Sequence, residues 1–165
     1  LSDKVMCLCE CGDDESFSEV KALFQETSAT LVELPLERHD FLASYVLGLS
    51  HIMNIIFAHT LSKSGLPYGT LSEVASTTFV RQIATTVSVV TENPFLYYEI
   101  QNTNAFTPEL YHQLAAAVRE ITETVLSRDR ERFVEIMEIG KKYFTGDENA
   151  WRSLEGDEAQ NGIRD

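Results

Sequence analysis

Basic residues are scarce in this chain. Across 165 residues, 13 Lys and Arg stand against 26 Asp and Glu, a formal net charge of −13 with a pI near 4.6. Nucleic acid and anionic membrane surfaces both require a basic face, so neither is an expected partner. An anionic ligand must instead be held by a few local cations against an unfavourable general field. Cysteine is confined to Cys7, Cys9 and Cys11. Structural zinc wants wider pairs and further ligands, and none follows nearby. In a strand, alternate positions share one face, so the three are expected to form a buried, metal-free strand face. An odd thiol count without a disulfide framework points to a reducing, cytoplasmic setting. The four prolines, Pro35, Pro67, Pro94 and Pro108, all fall at expected element edges. The chain has no Gly-x-Gly-x-x-Gly, no phosphate-binding Gly-x-x-x-x-Gly-Lys-Ser/Thr loop, no Gly-x-Ser-x-Gly and no His-Glu-x-x-His. Alone it therefore shows no nucleotide loop, activated nucleophile or metal cage. It also has no internal repeat and no low-complexity block.

What is present is a β-α-β opening followed by helices. Residues 5–10 read as a strand and Gly12-Asp13-Asp14 as a turn. Residues 16–26 read as a helix, with Ser16 as N-cap and Glu19 completing a capping box. Residues 29–34 read as a second strand, ended by Pro35. Beyond it the pattern is wholly helical. A long helix ends near Ser64-Gly65, with Pro67 beyond. A short turn follows at 71–75, then helices at 78–91, from Asn93-Pro94, from Thr107-Pro108-Glu109 to about Ser127, and at 129–144. Phe133, Ile136, Met137 and Gly140 are expected to face inward. Residues 147–165, with Trp151, read as a mobile tail. The chain opens at Leu1-Ser2 without Met and soon enters a strand, so it is expected to be a fragment of a larger protein.

The long helix is the most informative segment. Thirteen of the 18 residues from 41 to 58 are apolar, which places apolar groups all round it and predicts a central buried helix. Ser44, Gly48, Ser50, His51 and Asn54 interrupt it, and it lacks aromatic belts, so it reads as a core helix rather than a membrane span. His51 in this setting is either a core histidine bonded to Asn54 or a carbonyl, or a ligand-contacting group, because an unpartnered buried ring is costly. His39-Asp40 is either helix-start chemistry, with Asp complementing the dipole, or a polar pair at a domain junction. His59 reads as structural and His112 as solvated. Arg81 stands alone among basic residues between Tyr68 and Arg119. Its planar fork suits a carboxylate or phosphate, and the alternative is an ion pair with Glu73 or Glu99.

The order strand, helix, strand, then Glu37-Arg38-His39-Asp40 and Gly48-Leu49-Ser50-His51, resembles the prephenate dehydrogenase family. So do the Ser/Thr-rich segment with Phe79 and Arg81 and the later Glu92-Asn93-Pro94-Phe95-Leu96-Tyr97 with Ile100-Gln101. The resemblance covers about residues 4–145. It implies a mostly α fold: residues 37–146 as a helical dimerisation and substrate domain, preceded at 1–36 by a short β-α-β remnant of a Rossmann domain. It implies that the intact enzyme uses NAD or NADP to decarboxylate prephenate, or arogenate in some relatives, oxidatively. The catalytic histidine and glycine fingerprint then lie upstream, so no catalytic or cofactor-binding residue, and no cofactor, is expected in this chain. The partners implied are a second copy of the chain and the small-molecule substrate. His51 matches a substrate-pocket histidine, Arg81 an arginine for the substrate carboxylates, and His39 joins them as a substrate-binding candidate. At the second arginine position this chain has Ser88-Val89, which removes a main anchor for a dianion. The alternative reading is therefore a non-catalytic helical dimerisation or ligand-binding regulatory module derived from such an enzyme.

Overall fold

Two parallel strands open the chain, β1 (Val5–Cys9) and β2 (Thr30–Leu34), paired in register from Val5 opposite Thr30 to Cys9 opposite Leu34. Helix α1 (Asp14–Gln25) crosses between them. These positions come from a computed structural model that describes residues 4–10 and 12–146. Cys11, Trp151 and the tail expected at 147–165 lie outside the described residues. Helix α1 starts two residues before Ser16. Asp13, not Ser16, is the N-cap, and its carboxylate accepts from the amides of Glu15 and Ser16 at 3.1 and 3.2 Å. Gly12 at φ 87° turns the chain so that Asp13 reaches this position first. The strand face also differs from expectation. Leu8 is buried, while Cys7 is exposed and Cys9 half-buried. Leu8 lies with Phe17 and Val20 of α1 around one small cavity, so the covered face is Leu8's, opposite the one Cys7 occupies.

The long helix begins at Leu36, directly after Pro35, and runs unbroken to Lys63. It has three parts: α2 (Leu36–Ala43), a π-helical segment (Ser44–Leu49) and α3 (Ser50–Lys63). Ser64 closes it and Gly65 turns away at φ 74°. Helix α4 (Tyr68–Glu73) comes slightly earlier than the turn expected at 71–75. Helix α5 (Thr77–Val90) is capped by Ser76 and packs on α3. Helix α6 (Pro94–Asn102) has Asn93 as N-cap and Pro94 in its first turn, and it packs on the π segment.

The chain divides into two compact units, residues 1–112 and 113–165. Helix α7 (Thr107–Leu126) begins in the first and continues into the second, where α8 (Arg130–Thr145) follows. In the second unit the turn between them passes through Arg128 at φ 60°, and Asp129 caps α8. Arg132 ties this hairpin together through Glu120 of α7, while Glu135 on its own helix holds the other side of the guanidinium.

Burial departs from the sequence pattern. The long helix was expected to be buried all round, yet only Ser44, Gly48 and Asn54 along it are buried. Met53 and Ile56 are 43% exposed and Val46 68%. On α8, Phe133 and Met137 are exposed rather than inward-facing. The apolar periodicity is real, but its faces are not covered within this single chain.

Candidate functional site

Buried and half-buried polar groups of the first unit gather where α5 and α6 pack on the long helix. Asn54 is the centre of one group. Its Oδ1 accepts from Gln82 Nε2 and from Thr86 Oγ1, both at 2.9 Å, and its Nδ2 donates to the Ser50 carbonyl at 2.8 Å. Gln82 and Thr86 are one turn apart on α5, so they share a face. Of the alternatives for His51, a bond to Asn54 does not form, and Asn54 bonds α5 and its own helix. His51 instead lies against Tyr97 of α6, ring centroids 4.5 Å apart and tilted by 40°. Its Nδ1 is buried and without a hydrogen-bond partner. Burial lowers the His51 pKa from its ordinary 6.5, so the neutral imidazole is favoured.

A second group sits one turn back. Gln101 Nε2 donates to the Gly48 carbonyl at 3.2 Å, and Tyr111 Oη donates to Gln101 Oε1 at 2.8 Å. Burial raises the Tyr111 pKa, keeping its hydroxyl a donor. Gly48 lies in the π segment, whose i→i+5 bonding inserts extra chain into one turn; such turns recur at functional sites.

Beside these groups lies a cavity of about 550 Å³, a size usual for small-molecule sites. Ile52, Ile55, Val89 and Pro94 give it apolar walls, and Tyr97, Tyr98, Gln101 and Tyr111 bring polar atoms. His51 does not line it directly, whereas Tyr97, which packs on the imidazole, does. Among its described lining residues Glu92 is the one carboxylate, and no Lys, Arg or His takes part.

The other two expected site residues are not brought to this cavity. Arg81 is exposed on α5 and precedes the lining residue Val89 by eight positions, about 12 Å of helix. It neighbours Gln82 and so lies at the level of Asn54, one turn beyond His51. His39 precedes His51 by twelve residues, about 18 Å along the helix. Its Nδ1 lies 3.0 Å from the Asp40 carboxylate. With the helix starting at Leu36, this pair sits past the first turn, so it does not open the helix. At the missing-arginine position, Ser88 is exposed and bonds the Thr85 carbonyl, while Val89 is buried as a cavity wall. His59 and His112 are both exposed.

Sequence reasoning gave no role to Gln82, Tyr97, Gln101 or Tyr111. The Tyr97 and Gln101 spacing did carry a signal. Four residues apart on a helix opened by Asn93-Pro94, they must share one face.

The N-terminus of α1, which follows β1 of the parallel pair, is acidic. The turn after β1 leads to a helix N-terminus occupied by the Asp13 carboxylate, with Asp14 and Glu15 in the first turn. Three acids there oppose a pyrophosphate.

Comparison with known proteins identifies the family. Residues 35–139 match the family model described as prephenate dehydrogenase, dimerization domain. Over 130 residues the chain is 30% identical to a protein of Methanocaldococcus jannaschii named "probable arogenate/prephenate dehydrogenase". That alignment covers 79% of this chain but 29% of the relative, so the chain spans less than a third of that protein's length. The stretch that holds His51, Arg81, Tyr97 and Gln101 is thus the stretch the family model describes, and the chain belongs to the prephenate dehydrogenase family through its dimerization domain.

Proposed function

We propose that this chain is the helical substrate and dimerisation part of a cytoplasmic enzyme that oxidises and decarboxylates prephenate or arogenate with NAD or NADP. Residues 1–36 are then the end of a nucleotide-binding domain, and residues 37–146 the helical domain. The dinucleotide is held by residues outside this chain, since the acids at the α1 N-terminus do not suit it. The observation that carries the reading is the meeting of His51 with Tyr97 and of Gly48 with Gln101: motif residues about 50 positions apart in sequence converge on one place beside a ligand-sized cavity.

In this reading His51 contacts the substrate as a neutral imidazole, and Arg81 supplies a planar fork for a carboxylate. His39, held by Asp40, belongs to the side facing the nucleotide domain. The chain's share in the chemistry is positioning and charge complementarity. The long helix is apolar enough to span a bilayer by length and composition. The polar bonds from Asn54 and Gly48 to α5 and α6 support packing against protein instead.

The test joins the chain to a nucleotide-binding domain of the family. His51→Asn is expected to lower kcat/KM by at least about tenfold, or about 1.4 kcal/mol of transition-state stabilisation. Arg81→Gln is expected to act mainly on KM, since an anion anchor serves ground and transition states alike. Unchanged kinetics in His51→Asn overturns the site assignment.

One observation favours a second reading, a ligand-binding regulatory module without catalysis. The cavity wall carries Val89 and Glu92 and no cation, a poor match for a dianion. Full activity of the joined protein on prephenate would exclude it.

A further inference from the structure

Three contacts join residues 97–104 to the long helix in antiparallel register. Tyr97 packs on His51, Gln101 Nε2 donates to the Gly48 carbonyl, and Asn104 Nδ2 donates to the Asp40 carbonyl at 2.7 Å. Tyr97 and Gln101 are one turn apart on α6, and Gly48 and His51 are three residues apart on the long helix. Whatever fixes Gln101 to Gly48 therefore also fixes Tyr97 against His51. The bond is specific. A Cβ built at Gly48 would sit 3.5 Å from Leu110 and 3.8 Å from Gln101 Oε1, ordinary van der Waals distances, so α6 and α7 pack closely on this turn. Tyr111 Oη, donating to Oε1, leaves the Nε2 end as the one that faces the carbonyl. The π segment gives this clamp its purpose. The bonding pattern there sets the rotational phase of the helix that follows, and His51 is the second residue after it.

We propose that Gln101, oriented by Tyr111, is a positioning residue for His51: by clamping the Gly48 carbonyl it fixes the turn that carries the imidazole and seats Tyr97 against it. This rests on the reading of His51 as a substrate contact. Gln101 itself touches backbone, not ligand.

The test has a spectroscopic and a kinetic arm. Packed on Tyr97, the His51 ring protons carry a ring-current displacement, assigned by the signals lost in His51→Asn. Gln101→Met keeps the length and removes both polar ends. In the 165-residue chain it is expected to remove most of that displacement, as Tyr97→Leu does, and Tyr111→Phe to remove part of it. Asn104→Ala, which breaks the bond to the Asp40 carbonyl and the one accepted from the Phe106 amide but neither bond of Gln101, leaves it in place even where it lowers the melting temperature. In the joined protein, Gln101→Met is expected to lower kcat/KM by about threefold or more, but to have no further effect once His51 is Asn, because coupled residues are not additive. A folded Gln101→Met with unmoved His51 signals overturns the proposal, as does an equal kinetic loss in both backgrounds. If Gln101→Met does not fold, Tyr111→Phe gives the same decision at smaller amplitude. Failure of the substrate reading shows separately, as unchanged kinetics in His51→Asn, and the ring-current arm still decides the clamp.

Discussion

A buried ring nitrogen without a hydrogen-bond partner costs about 1–3 kcal/mol, and His51 Nδ1 is such an atom. Nearby groups that could have satisfied it, Asn54 above all, are committed to α5 instead. The position is thus poorly explained by packing and better explained by a task. The same burial lowers the His51 pKa below its ordinary 6.5. Linkage then gives a sign. Between the folded and unfolded values the unfolded chain binds more protons, so stability rises with pH in that window. The contribution is fully present above about pH 6.5 and is lost as pH falls toward the lower folded value. Thermal melts from pH 7.5 down to pH 5 are expected to show a falling midpoint, and His51→Asn to flatten that slope. An unaltered slope in His51→Asn would assign the effect to the carboxylates instead.

At the scale of elements, the α3–α5 contact is held by a buried polar group as much as by apolar ones. Asn54 accepts two hydrogen bonds from α5, and Thr86 is itself 4% exposed. Asn54→Ala leaves the Gln82 and Thr86 donors unmatched and is expected to lower stability by about 1–3 kcal/mol in denaturant melts. Pairing Asn54→Leu with Thr86→Val removes one donor with its acceptor and is expected to recover part of that loss. Additive losses would mean that the bonds contribute little. Much at this scale was legible in the sequence. Element order, the Asn93-Pro94 and Asp129 starts and the Gly65 stop all follow from local rules, because caps and turns are chosen by neighbouring residues. Three things were not legible. The π segment left no trace, since in a helix apolar on every side no phase marks an inserted residue. The start of α1 was misplaced because Asp13 and Ser16 are both competent caps. At the site, the motif marked His51 and flagged Tyr97 and Gln101, but their pairing spans about 50 residues and no local rule reaches that far. The same limit hid that Arg81 and His39 sit at other levels of the helix.

At the scale of the whole molecule, the amount of uncovered apolar surface requires an explanation. Among the described residues, Leu8, Val89 and Leu110 are the buried apolar ones. Meanwhile Val134, Met137, Ile139, Tyr143 and Phe144 of α8 are all more than half exposed, as are Val118 and Val125 of α7. A soluble monomer of this length normally buries a sizeable core and exposes no apolar patch of such extent. The family to which the chain belongs is described by its dimerization domain, and the matched stretch includes α7 and most of α8. A second copy of the chain is therefore the expected cover, with the partners sharing one core as obligate homodimers do. Three outcomes follow from that sharing. Sedimentation equilibrium at micromolar concentration is expected to give a dimer. Because association binds only the folded state, the melting temperature is expected to rise with protein concentration. Charge placed in the shared core, as in Phe133→Glu with Met137→Glu, is expected to shift the equilibrium toward monomer and lower the melting temperature together, since neither residue has a buried role within one chain. A double variant that melts like the parent and stays dimeric would move the interface off α8, to the exposed Val80, Val87 and Val90 of α5.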